Sequence, residues 1–418
     1  MTIYVLVTKE YVPVEEPGYE VVQGENYPAC LRALYEKDLP ETFGVCQEDH
    51  FLIENGRLLS MGAAEKLLEG ERIVLGSEQG KLAFLCQRQF FKDCYENCQK
   101  AGKTETFEKW LPLFCNRENL TPRLLESRDI DTGRIREMLS LLYEVTAPLI
   151  AKYNAGDYLQ YYPLNEAVGK TGGIPVWVCW WQGLDEAPRL VKECVHRMKK
   201  YFTAPDWEFH LITFDNLDAY TGFSETIVNR YNSGAITMTH LSDILRAQLL
   251  NMYGGLWLDA TYWFYDETPL TDIKNYPFYT QKSGGEYNEL DVVQGRWANN
   301  FLKGPAGFPL FGFLIEAFEL YWEKYDTLKN YFLIDFLDAV AYEKIPMIKA
   351  LFDAVPVNHM GAQLLAAWGN EPYDAHKMEV LLSTTKVFKM TYKKELLGKT
   401  KDGKTTFYGA VLENAFEL

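Results

Sequence analysis

The stretch centred on Tyr253-Gly254-Gly255 demands two different backbones within a few residues. Upstream, Leu241, Leu245, Leu249 and Met252 recur at helical spacing; downstream, Leu256-Trp257-Leu258 is a short apolar run suited to a buried strand. The paired glycines reconcile the two, because a residue without a Cβ enters left-handed angles freely and ends a helix. The strand delivers Asp259 near its C-terminal end, where open α/β sheets gather their ligand chemistry. Asp243 and Arg246, three apart, share a helix face, so three charged groups are expected at one crevice. A plainer reading makes Asp243 and Arg246 a surface ion pair worth a few tenths of a kcal/mol and Asp259 a strand end. Against it stands the cost of desolvating a carboxylate behind an apolar strand unless it is paired or holds a cation.

Composition narrows the classes. A length of 418 residues suggests two or three domains, and 47% hydrophobic residues are enough for a sizeable core. Fifty-eight acidic against forty-two basic residues give a net charge of −16, which repels nucleic acid and anionic bilayers on average. An anionic small molecule remains compatible, since a local pocket with an arginine and a metal overcomes the average field. Of the eight cysteines, Cys94 and Cys98 fall on one helix side, but no second pair at zinc spacing accompanies them. The opening Met1-Thr2-Ile3 does not read as a secretory signal, so reduced, mostly buried thiols are expected. No apolar run approaches the ~20 residues that span a bilayer. The expectation is a cytoplasmic protein, compatible with peripheral attachment to the inner face of the membrane.

In chain order, residues 1–85 read as a small α+β module, with a strand at Ile3 to Val7 and a hairpin around Asn55-Gly56. Residues 86–170 read as a helical connector, with Ile135, Met138, Leu139, Leu142 and Val145 forming one core stripe and a linker from Tyr161 to Gly173. From 171 to 395 strands and helices alternate, which predicts a largely parallel sheet. Ile174 to Trp181 is a strand ending in Trp180-Trp181, Pro188 to Lys199 a helix, and Trp207 to Ile212 a strand followed by Asp215-Asn216. Phe308 to Asp326 and the run from Tyr331 predict core helices, Val355 to Val357 a short strand before Asn358-His359, Met390 to Lys394 a basic patch, and 396–418 a tail.

These residues suit the chemistry of an activated sugar. A tryptophan offers a stacking face for a base, worth about 1–3 kcal/mol. Asp243 can accept from sugar hydroxyls, Arg246 can donate to sugar or phosphate oxygens, and Asp259 can ligate a ribose or a hard cation. Trp177-Val178-Cys179-Trp180-Trp181-Gln182-Gly183, Thr239 through Arg246, and Tyr253 through Thr261 together resemble the signatures of the bacterial capsular polysaccharide synthesis glycosyltransferases. That family is related to the DXD-type sugar transferases of glycosyltransferase family 32, among them yeast initiating mannosyltransferases and glucosylating clostridial toxins. The resemblance covers about residues 171 to 395, with weaker echoes at Tyr331 to Asp335 and Thr391 to Lys393, and leaves the first 170 residues unmatched.

The resemblance implies an α/β GT-A nucleotide-diphospho-sugar transferase fold with a Rossmann-like mixed sheet, and transfer of a hexose from a nucleotide sugar, UDP-sugar favoured, to a surface or capsular glycan. It further implies retention of configuration and assistance by Mn²⁺ or Mg²⁺. Carried onto this chain, Asp243, Arg246 and Asp259 form the catalytic set, and Trp180, Trp181, Gln182, Asp215, Asn216, Ser242 and Thr261 lie by the donor. Asp259 is the first acid of the DXD, but Thr261 stands where the second acid belongs, a poorer cation ligand. His359, beside Asn358, is the candidate to complete a metal shell with Asp259 and Thr261, and Lys393 and Lys394 are candidates to close over the diphosphate. No general base is visible; front-face attack needs none, because the leaving phosphate takes the acceptor proton. Two other readings stay open: a carbohydrate-binding or scaffolding protein of this fold without catalysis, and a haloacid-dehalogenase-type phosphatase. The second would need an acid where Thr261 stands.

Overall fold

The structure is a computed structural model of the chain. It describes residues 132–282 and 292–413 throughout and, before them, 1–7, 19–47, 50–54, 57–58, 61–69, 71–76, 83–101 and scattered positions between 107 and 129. The chain divides into two compact units, Met1–Glu137 with Tyr287–Asp291, and Met138–Glu286 with Val292–Leu418.

The first unit is built on strands β1 (Thr2–Val7), β2 (Tyr19–Gln23), β3 (Thr42–Gln47), β4 (His50–Glu54), β5 (Arg57–Leu58), β6 (Ile73–Gly76), β7 (Ala83–Gln87), β8 (Arg123–Leu125) and β9 (Ser127–Asp129). Six form one sheet in the order β2-β1-β3-β7-β6-β8, and β5-β4-β9 form another. Alternate residues Tyr4 and Leu6 of β1 join Phe43, Val45, Phe84 and Cys86 in one core with Phe90, Phe91, Cys94 and Tyr95 of the helix Arg88–Lys100. The helix Tyr27–Glu36 closes the same core through Leu31 and Leu34, and Asn26 caps it by accepting from the Ala29 amide at 2.9 Å. The expected hairpin appears as antiparallel β4 and β5, although its turn, Asn55-Gly56, lies outside the described residues. The boundary expected at residue 85 falls inside β7, and the stretch expected as a helical connector contributes β8 and β9 as well as helices. Strands of three residues offer too few positions for alternation to register in the sequence. The described cysteines are all free, and burial pushes the thiols of Cys86 and Cys94 up.

The second unit holds β10 (Ile174–Cys179), β11 (Trp207–Ile212), β12 (Gly255–Leu258), β13 (Tyr262–Phe264), β14 (Tyr279–Thr280), β15 (Phe301–Gly304) and β16 (Val387–Lys389). Its main sheet runs β11-β10-β12-β15-β14, with the first three strands parallel and the last two antiparallel. This is a mixed α/β sheet of the expected class. Strand β10 is buried from Pro175 to Val178, which explains its continuous apolar run. The helix Arg189–Tyr201 lies between β10 and β11 in sequence and buries Leu190, Val191, Cys194, Val195 and Met198, the recurring apolar positions that predicted it. Its Arg197 stacks over Trp263 at 4.3 Å and donates to the carbonyls of Phe264 and Tyr265.

Next comes the helix Met238–Tyr253. Thr237 caps it by accepting from the His240 amide at 3.2 Å, and Gly254 ends it at φ 66°. Gly255 follows at φ 99° and opens β12. Helices Pro309–Lys324 and Leu333–Lys344 appear where the aromatic runs predict them, and Phe311, Phe318, Trp322, Leu337 and Val340 are fully enclosed. Two expectations are corrected. Val355 to Val357 form no strand; Pro356 has no amide to donate to a ladder, and the segment stays irregular before Asn358. The expected tail instead carries the helix Phe407–Glu413, which buries Phe407, Ala410 and Val411.

The segment Tyr161 to Gly173, expected as a linker, is irregular but tethered. The Tyr161 amide donates to Asn251 Oδ1 at 2.8 Å and the Asn165 amide to the Tyr253 hydroxyl at 3.0 Å. Both acceptors sit on the helix that precedes the twin glycines, so this segment is fastened to the element carrying Asp243 and Arg246.

Candidate active site

Asp259 leaves the end of β12 with its amide donating to the Asn300 carbonyl at 3.0 Å. Its Oδ1 accepts from Arg246 Nη2 at 3.3 Å and from the Trp257 indole at 3.1 Å. The other nitrogen of the guanidinium fork, Nη1, reaches Asp243 Oδ1 at 3.2 Å, and the guanidinium lies over the Trp257 ring at 5.0 Å. The three charges expected at one crevice therefore meet: Arg246, 4% exposed, ties the two carboxylates together. A buried guanidinium needs such partners.

A fourth charge, unread in the sequence, completes the group. Lys389 Nζ stands 2.7 Å from Asp259 Oδ2 and 2.8 Å from Thr261 Oγ1, over the Tyr262 ring at 5.3 Å. Antiparallel β13 and β16 put Lys389 opposite Tyr262, and the Met390 amide donates to the Thr261 carbonyl at 2.9 Å. The Tyr262 hydroxyl is itself held between the side-chain amides of Gln281 and Asn300, at 2.6 and 2.7 Å. Burial alone would raise the Asp259 carboxyl, but Lys389 and then Arg246 outweigh it and hold the group below the usual carboxylate range. Asp259 and Lys389 are also the members most open to solvent, with side chains 31% and 20% exposed.

Behind this group lies a second layer. The Trp322 indole donates to His240 Nε2 at 3.0 Å; since an indole only donates, the ring hydrogen of His240 sits on Nδ1, which faces Asp243 Oδ2 at 3.6 Å. Asn299 donates to Asp335 at 2.7 Å and to Asp338 at 2.6 Å. Asp338 is fully buried, and burial together with the Asp335 carboxylate pushes its carboxyl well up, with Arg246 and Asp243 both within electrostatic reach. Asp335 closes one of the weaker sequence echoes; Asp338 and Asn299 carried no signal, because one sits on a core helix and the other in an irregular turn before β15.

The remaining expected residues divide. Trp181 is 6% exposed, stacked on Phe214 at 4.7 Å, with its indole donating to Met238 O and Ser242 Oγ at 2.9 Å each. Ser242 thus anchors that tryptophan to the helix. Trp180 is only partly covered and meets the edge of Tyr392 at 5.3 Å, which leaves it the better placed of the pair to offer a ring face. Gln182 and Asp215 are exposed. Asn216 spends both polar atoms on its own turn, accepting from the Thr213 amide and donating to the Leu211 carbonyl at 2.9 Å each. Lys393 reaches the exposed Tyr331 hydroxyl at 3.3 Å, and Lys394 is exposed.

His359 is not brought to the Asp259 group. Its ring stacks on Phe301 at 5.8 Å, and its nitrogens face the Tyr279 hydroxyl at 3.0 Å and the Thr385 hydroxyl at 3.4 Å. Asn358 is likewise spent, bonding the Lys282 amide and the Thr280 and Pro356 carbonyls. Among the described residues no three His, Cys, Asp or Glu side chains cluster closely enough to hold a metal ion. The donor set at the expected cation position is one carboxylate and one hydroxyl, both facing an ammonium. With the Lys389 ammonium already against both donors, these residues do not fit Mn²⁺ or Mg²⁺ beside it.

Burial holds His359 at about 4, below its ordinary 6.5, so the folded chain resists its protonation. As pH falls below 6.5 the unfolded chain takes that proton first, and stability declines until about 4. The loss attributable to this ring is of order 3 kcal/mol. Urea midpoints at about pH 7 and pH 4.5 should differ more for the natural chain than for His359→Gln; equal differences would remove His359 as the cause.

Open depressions along the Arg189–Tyr201 helix, one lined by Leu184, Asp185, Lys192, His196 and Lys199, contain none of these groups. No helix among the described residues is long and apolar enough to cross a membrane.

A profile of the family described as "Capsular polysaccharide synthesis protein" matches residues 133–411. Among curated proteins, an O-glycosyltransferase, braB, of Annulohypoxylon truncatum is 24% identical over 159 residues, 35% of this chain and 37% of that protein. The chain thus matches little more than a third of this relative's length. Among solved structures, an apo bifunctional glycosyltransferase, WbbM, shares 9% identity with a TM-score of 0.34, covering 99% of this chain and 97% of its own. The PaToxG glycosyltransferase shares 12% with a TM-score of 0.29, covering 54% and 84% respectively.

Proposed function

We propose, from the premise that this chain belongs to the capsular polysaccharide synthesis protein family, that it is a glycosyltransferase moving a hexose from a nucleoside diphosphate sugar, UDP-sugar in the first instance, to a surface glycan. The observation that carries this reading is the cluster at the end of β12. There two cations, Arg246 and Lys389, converge on Asp259 while Trp180 offers a ring beyond the end of β10. Cations held in place before the substrate arrives stabilise charge that develops on a leaving diphosphate without further reorganisation.

In this reading the base lies against Trp180, Asp243 and Arg246 hold the donor sugar, and the Lys389 ammonium faces the diphosphate. Transfer occurs on one face of the sugar. The bond from C1 to the phosphate oxygen breaks, the bond from C1 to the acceptor oxygen forms on the same side, and the acceptor proton passes to the departing phosphate. Configuration is retained and no protein base is required. Gln182, exposed beside Met238, and Asp215, also exposed, are assigned to nucleotide contact in this reading because their polar groups are open to solvent. The absence of a membrane-crossing helix among the described residues is compatible with peripheral attachment to a polysaccharide assembly.

The test is nucleotide release. The full chain incubated with a panel of UDP- and GDP-sugars should hydrolyse one donor slowly in the absence of acceptor. Sugar binding with no release from any donor would support the non-catalytic carbohydrate-binding reading instead. A second check separates the tryptophans. Trp180→Ala should weaken nucleotide binding by about 1–3 kcal/mol with little change in thermal stability, while Trp181→Ala should mainly destabilise, since its ring and indole N–H are buried in packing. Equal binding by Trp180→Ala and the natural chain would remove that residue from the base site.

A further inference from the structure

We infer that Lys389 is the resident cation of this site, its ammonium standing in the position where a DXD transferase would hold a divalent ion between two acids. The inference rests on the reading of the site as a nucleotide-sugar site and specifies how that site meets the diphosphate. Its ground is placement. The two side chains that would have to ligate a metal, Asp259 and Thr261, both already face the same nitrogen, at 2.7 and 2.8 Å.

That nitrogen is built into the fold and is no wandering surface lysine. Strand β16 buries Val387 and Phe388 completely, its ladder with β13 sets Lys389 opposite Tyr262, and the stem crosses the Tyr262 ring. The ring in turn is fixed through its hydroxyl by Gln281 and Asn300. A metal ion has little left to bind. Asp259 Oδ1 is taken by Arg246 and the Trp257 indole, and Oδ2 by Lys389. A divalent cation placed between Asp259 and Thr261 would stand against the ammonium itself, where like charges repel. The threonine at 261 then has a purpose. Asp243 and Asp259 already balance Arg246 and Lys389 charge for charge; a second carboxylate there would leave the group net negative and repel a diphosphate, whereas a hydroxyl takes one hydrogen bond and adds no charge. An ammonium carries three donors; among the described residues Asp259 and Thr261 take two, which leaves one to offer a phosphate oxygen.

The consequence is nucleoside diphosphate binding that needs no divalent ion. The test uses the full chain with UDP and GDP as probes, titrated calorimetrically in EDTA and again in Mn²⁺, alongside Mn²⁺ titration of the protein alone followed by electron paramagnetic resonance. The expected results are equal nucleotide affinity in the two buffers, no Mn²⁺ captured by the natural chain, and a loss of about tenfold or more in affinity for Lys389→Ala in EDTA. Lys389→Arg should recover part of that loss. The double variant Lys389→Ala with Thr261→Asp, which removes the ammonium and restores the second acid, should capture Mn²⁺. Mn²⁺ captured by the natural chain and released on Asp259→Asn would overturn the inference, as would Lys389→Ala binding UDP undiminished in EDTA. Should neither nucleotide bind in either buffer, the glycosyltransferase reading fails while the Mn²⁺ titration still decides what occupies the position.

Discussion

Replacing Asp259 with asparagine is expected to lower donor turnover by about 10³-fold or more while leaving a folded chain. The carboxylate is the point on which both cations are trained, through Arg246 at 3.3 Å and Lys389 at 2.7 Å. An amide of the same shape still accepts from one donor but offers no charge, and its nitrogen presents hydrogens to whichever cation it faces. Arg246 keeps Asp243 as a partner, so it is not stranded. Among the described residues Lys389 then keeps the Thr261 hydroxyl as its hydrogen-bond partner and can swing toward solvent. Each misdirected donor to a developing oxyanion costs about 10²–10³ in rate, and two are affected together. The stability cost is far smaller, about 1–3 kcal/mol for hydrogen bonds to a charged group. Turnover by Asp259→Asn within tenfold of the natural chain would show that the cations do not depend on this carboxylate.

Gly255→Ala is expected to have the largest effect on folding. Gly255 sits at φ 99°, and an added Cβ would lie 2.2 Å from the Pro175 carbonyl oxygen. That oxygen belongs to β10, whose Val176 and Trp177 are registered against Leu256 and Trp257, so relief requires parting two central strands. The Trp177 indole also donates to the Gly254 carbonyl at 2.9 Å, which holds the turn against β10. Strained backbone at positive φ costs about 1–3 kcal/mol, and forcing atoms into a packed interior costs about as much again. Together these shift a melting temperature down by about 10 °C at the slope expected for a unit of this size. Gly403→Ala provides the control, with φ 84° and nothing within 4 Å of the new Cβ. It should show only the strain; equal shifts for the two variants would mean that the contact with Pro175 is not what requires glycine.

The same glycines account for how much of the site was readable. The unit from Leu241 to Asp259 is local, and local rules fix it: helix period, an obligatory left-handed stop, a buried strand, a carboxylate at its end. Its charged residues meet as that grammar predicts. Lys389 was invisible for the opposite reason. It is 130 positions from Asp259 and arrives through a ladder of three residues between β13 and β16, and nothing in Val387-Phe388-Lys389 announces which strand it pairs with. Position relative to a buried ring decides its role, and the sequence holds no trace of that ring's location. Asn216 and His359 illustrate the converse. Both have suitable chemistry, but their polar atoms are consumed by neighbours, Asn216 by its own turn after β11 and His359 by Tyr279 and Thr385. In the first unit β8 and β9, three residues each with Arg123, Ser127, Arg128 and Asp129 among them, carried no apolar run to announce a strand, whereas β1 is apolar without a break from Ile3 to Leu6.

We propose that Asp243, Arg246, Asp259 and Lys389 form one donor site, with the Lys389 ammonium on the diphosphate and Asp243 and Arg246 on the sugar. A crystal structure of the full chain soaked with whichever of UDP and GDP raises its melting temperature more tests this directly. Diphosphate density within hydrogen-bonding distance of Lys389 Nζ, with the base against Trp180, is the result this account predicts. A nucleotide seated elsewhere, with the Lys389 ammonium still closed on Asp259 and Thr261, would contradict it.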